Sequence, residues 1–150
     1  MDGITITAFF LFIMVQIFAE YEGNLKVALQ HEPSQSSLHT SAPKDNQGLG
    51  DDFSPTDLLA TSLLSCMITL MGIEARRRSL DISGTKGRIE KHMVADPFRR
   101  IGTLVVNVDV NGTMSEEDTK ALRYVAENCP VRKSISDSIV VETTYSFRQL

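Results

Sequence analysis

Between Asp57 and Glu74, in the stretch "FSPTDLLATSLLSCMITLMGIEARRR", sixteen consecutive residues from Leu58 to Ile73 carry no charge. The flanks mark this run as a helix. Ser54 stands where an N-cap is needed, Pro55 falls at the first helical position, and Asp57 places a carboxylate near the positive end of the dipole. Arg76, Arg77 and Arg78 fall in the last turn, where cations suit the dipole, and are read most economically as a solvated helix end. A helix apolar on all sides must be covered on all sides. A membrane span needs about 20 apolar residues; this run is shorter, and Thr61, Ser62, Ser65 and Thr69 interrupt it. The alternative is a globular domain built around the helix.

The flanking sequence supplies sheets for that purpose. Val15, Ile17, Ala19 and Tyr21 alternate with Gln16, Phe18, Glu20 and Glu22, "EGN" gives a turn, and Leu25, Val27 and Leu29 alternate on a returning arm. A weaker strand lies around Leu38–Thr40, and "SAPKDNQGLGDD" is a loop. After the helix, residues 84–94 form a candidate strand, "ADPFR" a turn, and Leu104, Val106, Val108 and Val110 a period-two strand closed by "NGTMSEED". Ser115 and Asp118 form a capping box for a helix over residues 116–127. Cys129-Pro130 then opens a short helical turn before a last strand, with Ile139, Val141, Thr143, Tyr145 and Phe147 on one face. The order is that of an α+β domain. One small sheet can hardly wrap the 58–73 helix, whereas a dimer burying two such helices between two sheets can.

Composition removes several function classes. A net charge of −4 and a pI near 5.3 argue against nucleic acid, which wants a basic stripe. The first apolar run, Ile4 to Ala19, is short for a span, and Met1-Asp2 lacks the positive n-region of a secretory signal. Residues 1–13 are therefore read as an N-terminal extension that the fold does not need, with a single domain over 14–150, no membrane and a cytoplasmic location. "NGT" at 111–113 matches a glycosylation sequon but is more simply a turn. His31, His39 and His92 are scattered without metal-site spacing, so no metal and no cofactor are expected.

The chemistry rests on two cysteines. Pro130 has φ preset for a first helical turn, which puts Cys129 at an N-cap, where free N–H groups, Arg132 and Lys133 would stabilise a thiolate. The other reading of Cys129 is a small buried residue at a helix start. Cys66 lies mid-helix, where the dipole offers nothing and desolvation disfavours a thiolate. It is either a core residue or a thiol activated by groups the fold brings in, such as Asp57, Lys44 or a histidine.

Taken together, "FSPTDLLATSLLSC" and "CPVRKSIS" resemble the OsmC/Ohr family, the osmotically inducible protein C and organic hydroperoxide resistance proteins. The resemblance covers residues 14 to 148. "HEPSQS", "APKDNQGLGDDFSPTDLL" and "VADPFRRIG" look like one branch, distinct from the best-characterised enzymes. It implies an OsmC-like fold, an intertwined homodimer with sheets wrapped around long central helices. It also implies a cysteine-based peroxidase for organic hydroperoxides. The thiol matching Cys66 becomes a sulfenic acid, the one matching Cys129 resolves it as a disulfide, and an external dithiol reduces that bond.

Two departures from the family pattern bear on activity. The enzymes carry a glutamate directly after the helix-start proline, where this chain has Thr56, followed by Asp57. They also pair that glutamate with an arginine from the strands before the helix. Between residues 14 and 65 this chain has no arginine, and Lys26 and Lys44 are its lysines. Lysine is a point charge and not a bidentate fork. The first expectation is thus a thiol peroxidase of altered site, with Lys44 or His31 in the arginine's role. The alternative is a non-catalytic OsmC-like dimer that binds a small apolar ligand in stress.

Overall fold

The computed structural model describes residues 14–149, which fall into two compact units, one up to Ser54 and one from Pro55 onward. The segment 1–13, read above as an extension, lies outside the described residues.

The N-terminal unit is an antiparallel sheet of β1 (Ile17–Gly23), β2 (Lys26–His31) and β3 (Ser37–Ser41) in that order. Pairing of Ala19 with Leu29 and of Leu29 with Leu38 fixes the register. The alternation beginning at Val15 becomes strand from Ile17. Leu25, expected on the returning arm, belongs instead to the turn. Gly23, Asn24 and Leu25 all have positive φ, and the Leu25 N–H donates to the Tyr21 hydroxyl at 3.3 Å. A hairpin that tight uses an extra residue, which a period-two reading assigns to the strand. The loop that follows holds a 3-10 turn, Lys44–Asn46, and an ion pair between Lys26 and Asp51 at 2.6 Å.

The second unit opens with α1, Pro55–Arg77, which begins at the expected proline. Among the described residues it is the one helix long and apolar enough to cross a membrane by length and composition. Here it packs on a sheet. β4 (Lys86–Val94) pairs antiparallel with β5 (Arg100–Met114), and β5 pairs parallel with β6 (Val140–Gln149), in the order β4-β5-β6. α2 (Glu116–Glu127) and α3 (Pro130–Ser134) form the connection that a parallel β5–β6 pair requires.

The core follows from two periodicities. Ala60, Leu63, Met67 and Met71 make one buried stripe of α1, and Leu104, Val106, Val108 and Val110 make the buried face of β5. Each fully buried side chain of this kind stabilises by about 1.5–3 kcal/mol. Gly87 on β4 lets α1 approach closely, since a Cβ there would lie 2.7 Å from Leu64 and 2.8 Å from Ile68. The remaining apolar faces of α1 are less covered: Leu59, Leu64, Ile68 and Leu70 are half-buried and Ile73 is 60% exposed.

Two expectations are corrected. "NGT" does not end the strand. β5 runs on to Met114 through a register shift between Val110 and Thr113, where Gly112 takes φ of +97° with the Asp81 carbonyl 2.7 Å from the place of a Cβ. The signature of a turn is here the signature of a bulge. The arginine triplet, read as a solvated end, is instead partly built in. Arg77 and Arg78 both donate to Glu74, at 2.6 and 2.7 Å, and Arg78 also donates to Asp118 at 3.0 Å. Asp118 is the acid of the Ser115 capping box, whose hydroxyl accepts the Asp118 N–H at 3.1 Å. Arg78 thus ties the end of α1 to the start of α2.

These arginines hold the Glu74 carboxyl at about 2, below its ordinary 4.5, the hydrogen bond from Arg77 contributing most. Its contribution to stability is therefore full above pH about 4.5 and is lost as the pH falls toward 2. Glu74→Gln should melt at a lower temperature than the parent at neutral pH, and the two melting curves should converge as the pH is lowered from 4.5 to 3. A gap that stays constant over that range would show that the charge of Glu74 contributes nothing.

Candidate functional site

The end of α2 delivers Cys129 to its place. Asn128 closes the helix, its N–H and its side-chain amide both reaching the Tyr124 carbonyl, and the Cys129 N–H donates to the Ala126 carbonyl at 3.3 Å. Cys129 then turns extended, with φ −65° and ψ 151°, and Pro130 starts α3. The Cys129 Sγ accepts the Arg132 N–H at 3.4 Å, so the expected N-cap is formed by sulfur itself. Because α3 packs on α1, that sulfur faces the middle of the long helix.

Cys66 stands there, partly buried against the core, while Cys129 is wholly buried. Both are free thiols, and Cys66 is among the groups that act on the Cys129 thiol. Residues 63 positions apart in the chain are thus brought near one another by the α1–α3 contact.

The expectation that N-capping makes Cys129 a low-pKa thiol is overturned. Burial pushes the Cys129 thiol up, more than the Arg132 N–H brings it down, and the hydrogen bond with Cys66 adds to the rise. The physical reason is the scale of the two effects. α3 has five residues, so its dipole is small, and Arg132 contributes its backbone N–H.

A cleft of about 280 Å³ is lined by Met67, which follows Cys66 in the chain, by Arg132, whose N–H reaches the Cys129 sulfur, and by Glu127, Val141 and Thr143. One wall is the inward face of β6, where alternate residues from Val141 to Phe147 point into the unit as the sequence indicates.

Of the other candidate residues, Asp57 is in the second unit and Lys44 and His31 are in the N-terminal unit. Asp57 is in the first turn of α1, and its Oδ1 accepts the Lys91 ammonium at 2.6 Å, with the Thr56 hydroxyl at 2.8 Å from the same nitrogen. Nine residues of helix separate Asp57 from Cys66, about 13.5 Å along the axis and half a rotation around it. The acid–cation pair is therefore remote from the Cys66 of the same chain. Lys44 is exposed in the N-terminal unit, and the His31 Nδ1 is paired with the Ser34 hydroxyl at 2.6 Å. Lys91 escapes a search confined to the strands before the helix. Its signal is the phase of "RIEKHM": Ile89, Lys91 and Met93 share the inward face, and Lys91 pairs with the buried Leu104. A lysine in an apolar phase asks for an internal partner. Among the described residues, no group of three His, Cys, Asp or Glu side chains is disposed to hold a metal ion.

With this geometry in view, comparison with known proteins is informative. No curated protein sequence matches the chain significantly. A candidate osmotic stress induced and detoxification response protein from Psychrobacter arcticus 273-4 is 41% identical; the match covers 88% of this chain and 96% of that one, with a TM-score of 0.83. An organic hydroperoxide resistance protein OsmC from Legionella pneumophila is 17% identical over 90% of this chain and 98% of its own, with a TM-score of 0.72. The organic hydroperoxide resistance protein OhrB of Bacillus subtilis is 16% identical over 88% and 97%, with a TM-score of 0.65. These last two speak for the fold alone. The family model described as OsmC-like protein matches residues 48–144, a span that includes both cysteines. The chain belongs to the OsmC-like protein family, and its mixed helix and sheet structure is the OsmC-like fold.

Proposed function

We propose that the protein is a thiol-dependent peroxidase that reduces organic hydroperoxides. The observation that carries this reading is the contact between the chain's two cysteines, both free and placed together by elements far apart in sequence. The exposure of the two sulfurs supports the division of roles. Cys66 is the more accessible and meets the substrate, and Cys129 is enclosed. The Cys66 thiolate attacks the outer peroxide oxygen; the S–O bond forms, the O–O bond breaks, and the alkoxide takes a proton to leave as an alcohol. The sulfur of Cys129 then displaces hydroxide from the Cys66 sulfenic acid, which departs with the Cys129 proton as water. A dithiol reductant returns the disulfide to two thiols. Several structural relatives named as organic hydroperoxide resistance proteins fit the same substrate class.

The homodimer belongs to this proposal. α1 has a charge-free length from Leu58 to Ile73 but one fully buried stripe within the protomer, and Ile73 stands 60% exposed. A second copy covering the other faces satisfies the requirement that an apolar helix be enclosed. A cytoplasmic location and the dispensability of residues 1–13 are part of the same reading.

Two measurements test it. With an organic hydroperoxide and a dithiol, the parent should turn over, Cys66→Ser should fall to background, and Cys129→Ser should consume one equivalent and accumulate oxidised Cys66. Turnover by Cys66→Ser would reverse the roles, and an inert parent would favour a dimer that binds an apolar ligand. Sedimentation at micromolar concentration should give about twice the 16.6 kDa chain mass; a compact monomer would remove the dimer from the proposal.

A further inference from the structure

Asn111 and Gly112 sit at the bulge of β5, where the strand leaves both of its ladders. The pairing with β4 ends at Asp109 and Lys86, and the pairing with β6 passes from Val110 directly to Thr113. Asn111 is exposed, and Gly112, at φ of +97°, has no Cβ to shield its nitrogen. A regular ladder holds a backbone nitrogen in place by hydrogen bonding, and a bulge lifts that restraint from its extra residues. A carboxamide carbon and an unhindered backbone nitrogen thus stand one residue apart, outside both ladders. These are the two groups whose reaction makes asparagine a thermolabile residue.

The Asn111 amide also holds a neighbouring segment. Its Nδ2 donates to the Ser83 carbonyl at 2.5 Å, and its backbone N–H donates to the Thr85 hydroxyl at 3.2 Å. Gly84 fits beneath, since a Cβ there would lie 3.4 Å from Nδ2. These contacts latch the loop 78–85, between α1 and β4, onto the end of β5. The same loop forms one side of a groove of about 600 Å³ along the C-terminal half of α1, with Ile68, Gly72 and Arg76 on the other side. The position of one carboxamide therefore bears on the shape of that groove.

We propose that Asn111 is a site of spontaneous deamidation, and that its conversion unlatches the loop 78–85. The Gly112 nitrogen attacks the Asn111 Cγ. The new C–N bond closes a succinimide, the Cγ–Nδ2 bond breaks, and the Gly112 proton leaves with the amide nitrogen as ammonia. Water then opens the ring at either carbonyl carbon, giving aspartate or isoaspartate. In the aspartate product an acceptor replaces the donor that faced the Ser83 carbonyl, so that carbonyl loses its bond and meets a like partial charge. Asp81, whose carboxylate accepts the Ser83 N–H at 2.8 Å, adds a second negative charge on the same loop. Isoaspartate has the further effect of lengthening the backbone at the bulge. Without an enzyme that reverses it, the conversion runs one way.

The full chain, kept folded at mildly alkaline pH or unfolded in urea, is digested at intervals and mapped by mass. Asn111 should convert in the folded protein nearly as fast as in the unfolded chain, with a more acidic species growing on ion exchange. Asn107, which the two ladders pair with Arg88 and Thr144, should stay intact while the protein is folded. Protection of Asn111 by about a hundredfold or more, the mark of a backbone that opens only on unfolding, overturns the site. The latch is read separately by hydrogen exchange on Asn111→Asp. Amides of residues 78–85 should exchange about tenfold faster than in the parent, while those of α2 stay unchanged. The same variant should melt roughly 2–4 °C lower. If it does not fold, the acidic fraction of aged parent supplies the same comparison. Unchanged exchange in the loop overturns the latch, and so does a uniform rise that includes α2, which would mark a global loss of stability.

Discussion

The packing of one stripe of α1 on the valine row of β5 determines where everything else can go. Leu63, Met67 and Met71 have to meet Leu104, Val106, Val108 and Val110, and this fixes the rotation of α1 about its axis. Cys66 precedes Met67 and so stands at the border of the stripe, against the core on one side and partly exposed on the other. β6 lies parallel to β5, so the chain must return the length of the sheet before pairing. Of the two helices of that return, α2 packs on α1 and reaches β6, and α3 packs on α1. The break between them, at Asn128 and Cys129, comes against the long helix. The meeting of the two thiols is a consequence of sheet topology and not of local sequence.

At Cys129 two physical effects oppose one another. A helix start with a preset proline offers N–H groups to an anion, and the Arg132 N–H does reach the sulfur. Enclosure removes water from the same sulfur, and that effect is the larger. On the proposed peroxidase reading, this outcome suits a resolving thiol. A permanently ionised sulfur beside Cys66 would repel the thiolate needed for attack on peroxide, whereas a protonated one supports it by hydrogen bonding. The proton is then available at the moment hydroxide has to leave. A group with this task should ionise late, and burial is what delays it.

Much of the fold was legible because its signals are local. The start of α1 at Pro55, the period-two face of β5, the helix 116–127 with its Ser115 cap, and Cys129 before Pro130 each depend on residues within a few positions. What stayed hidden depends on distant partners. Arg78 looks like a solvated cation until Asp118 is brought to it, forty residues later. Gly112 looks like a turn glycine because a bulge and a turn make the same demand on φ. The parallel pairing of β6 leaves no trace in its own alternation. Tyr145 was placed on its face correctly, yet that its oxygen would lack a partner is a property of the assembled wall.

The cation that the family pattern places before the helix is found here after it. Lys91 reaches Asp57 and Thr56 from β4, so an acid–cation pair persists at the helix start with its cation drawn from another strand. The pair is well placed to pin β4 against the first turn of α1, where a carboxylate also suits the helix dipole. It is poorly placed to act on Cys66 of the same chain, half a rotation and about 13.5 Å away. Within the second unit, the groups near the two thiols include the Arg132 N–H, which reaches the Cys129 sulfur, and a cleft with the residues Glu127 and Arg132 in its lining. On the proposed peroxidase reading, an activator of Cys66 from its own unit would have to come from the enclosure and hydrogen bonding around Cys129, since the Asp57–Lys91 pair stands apart from it.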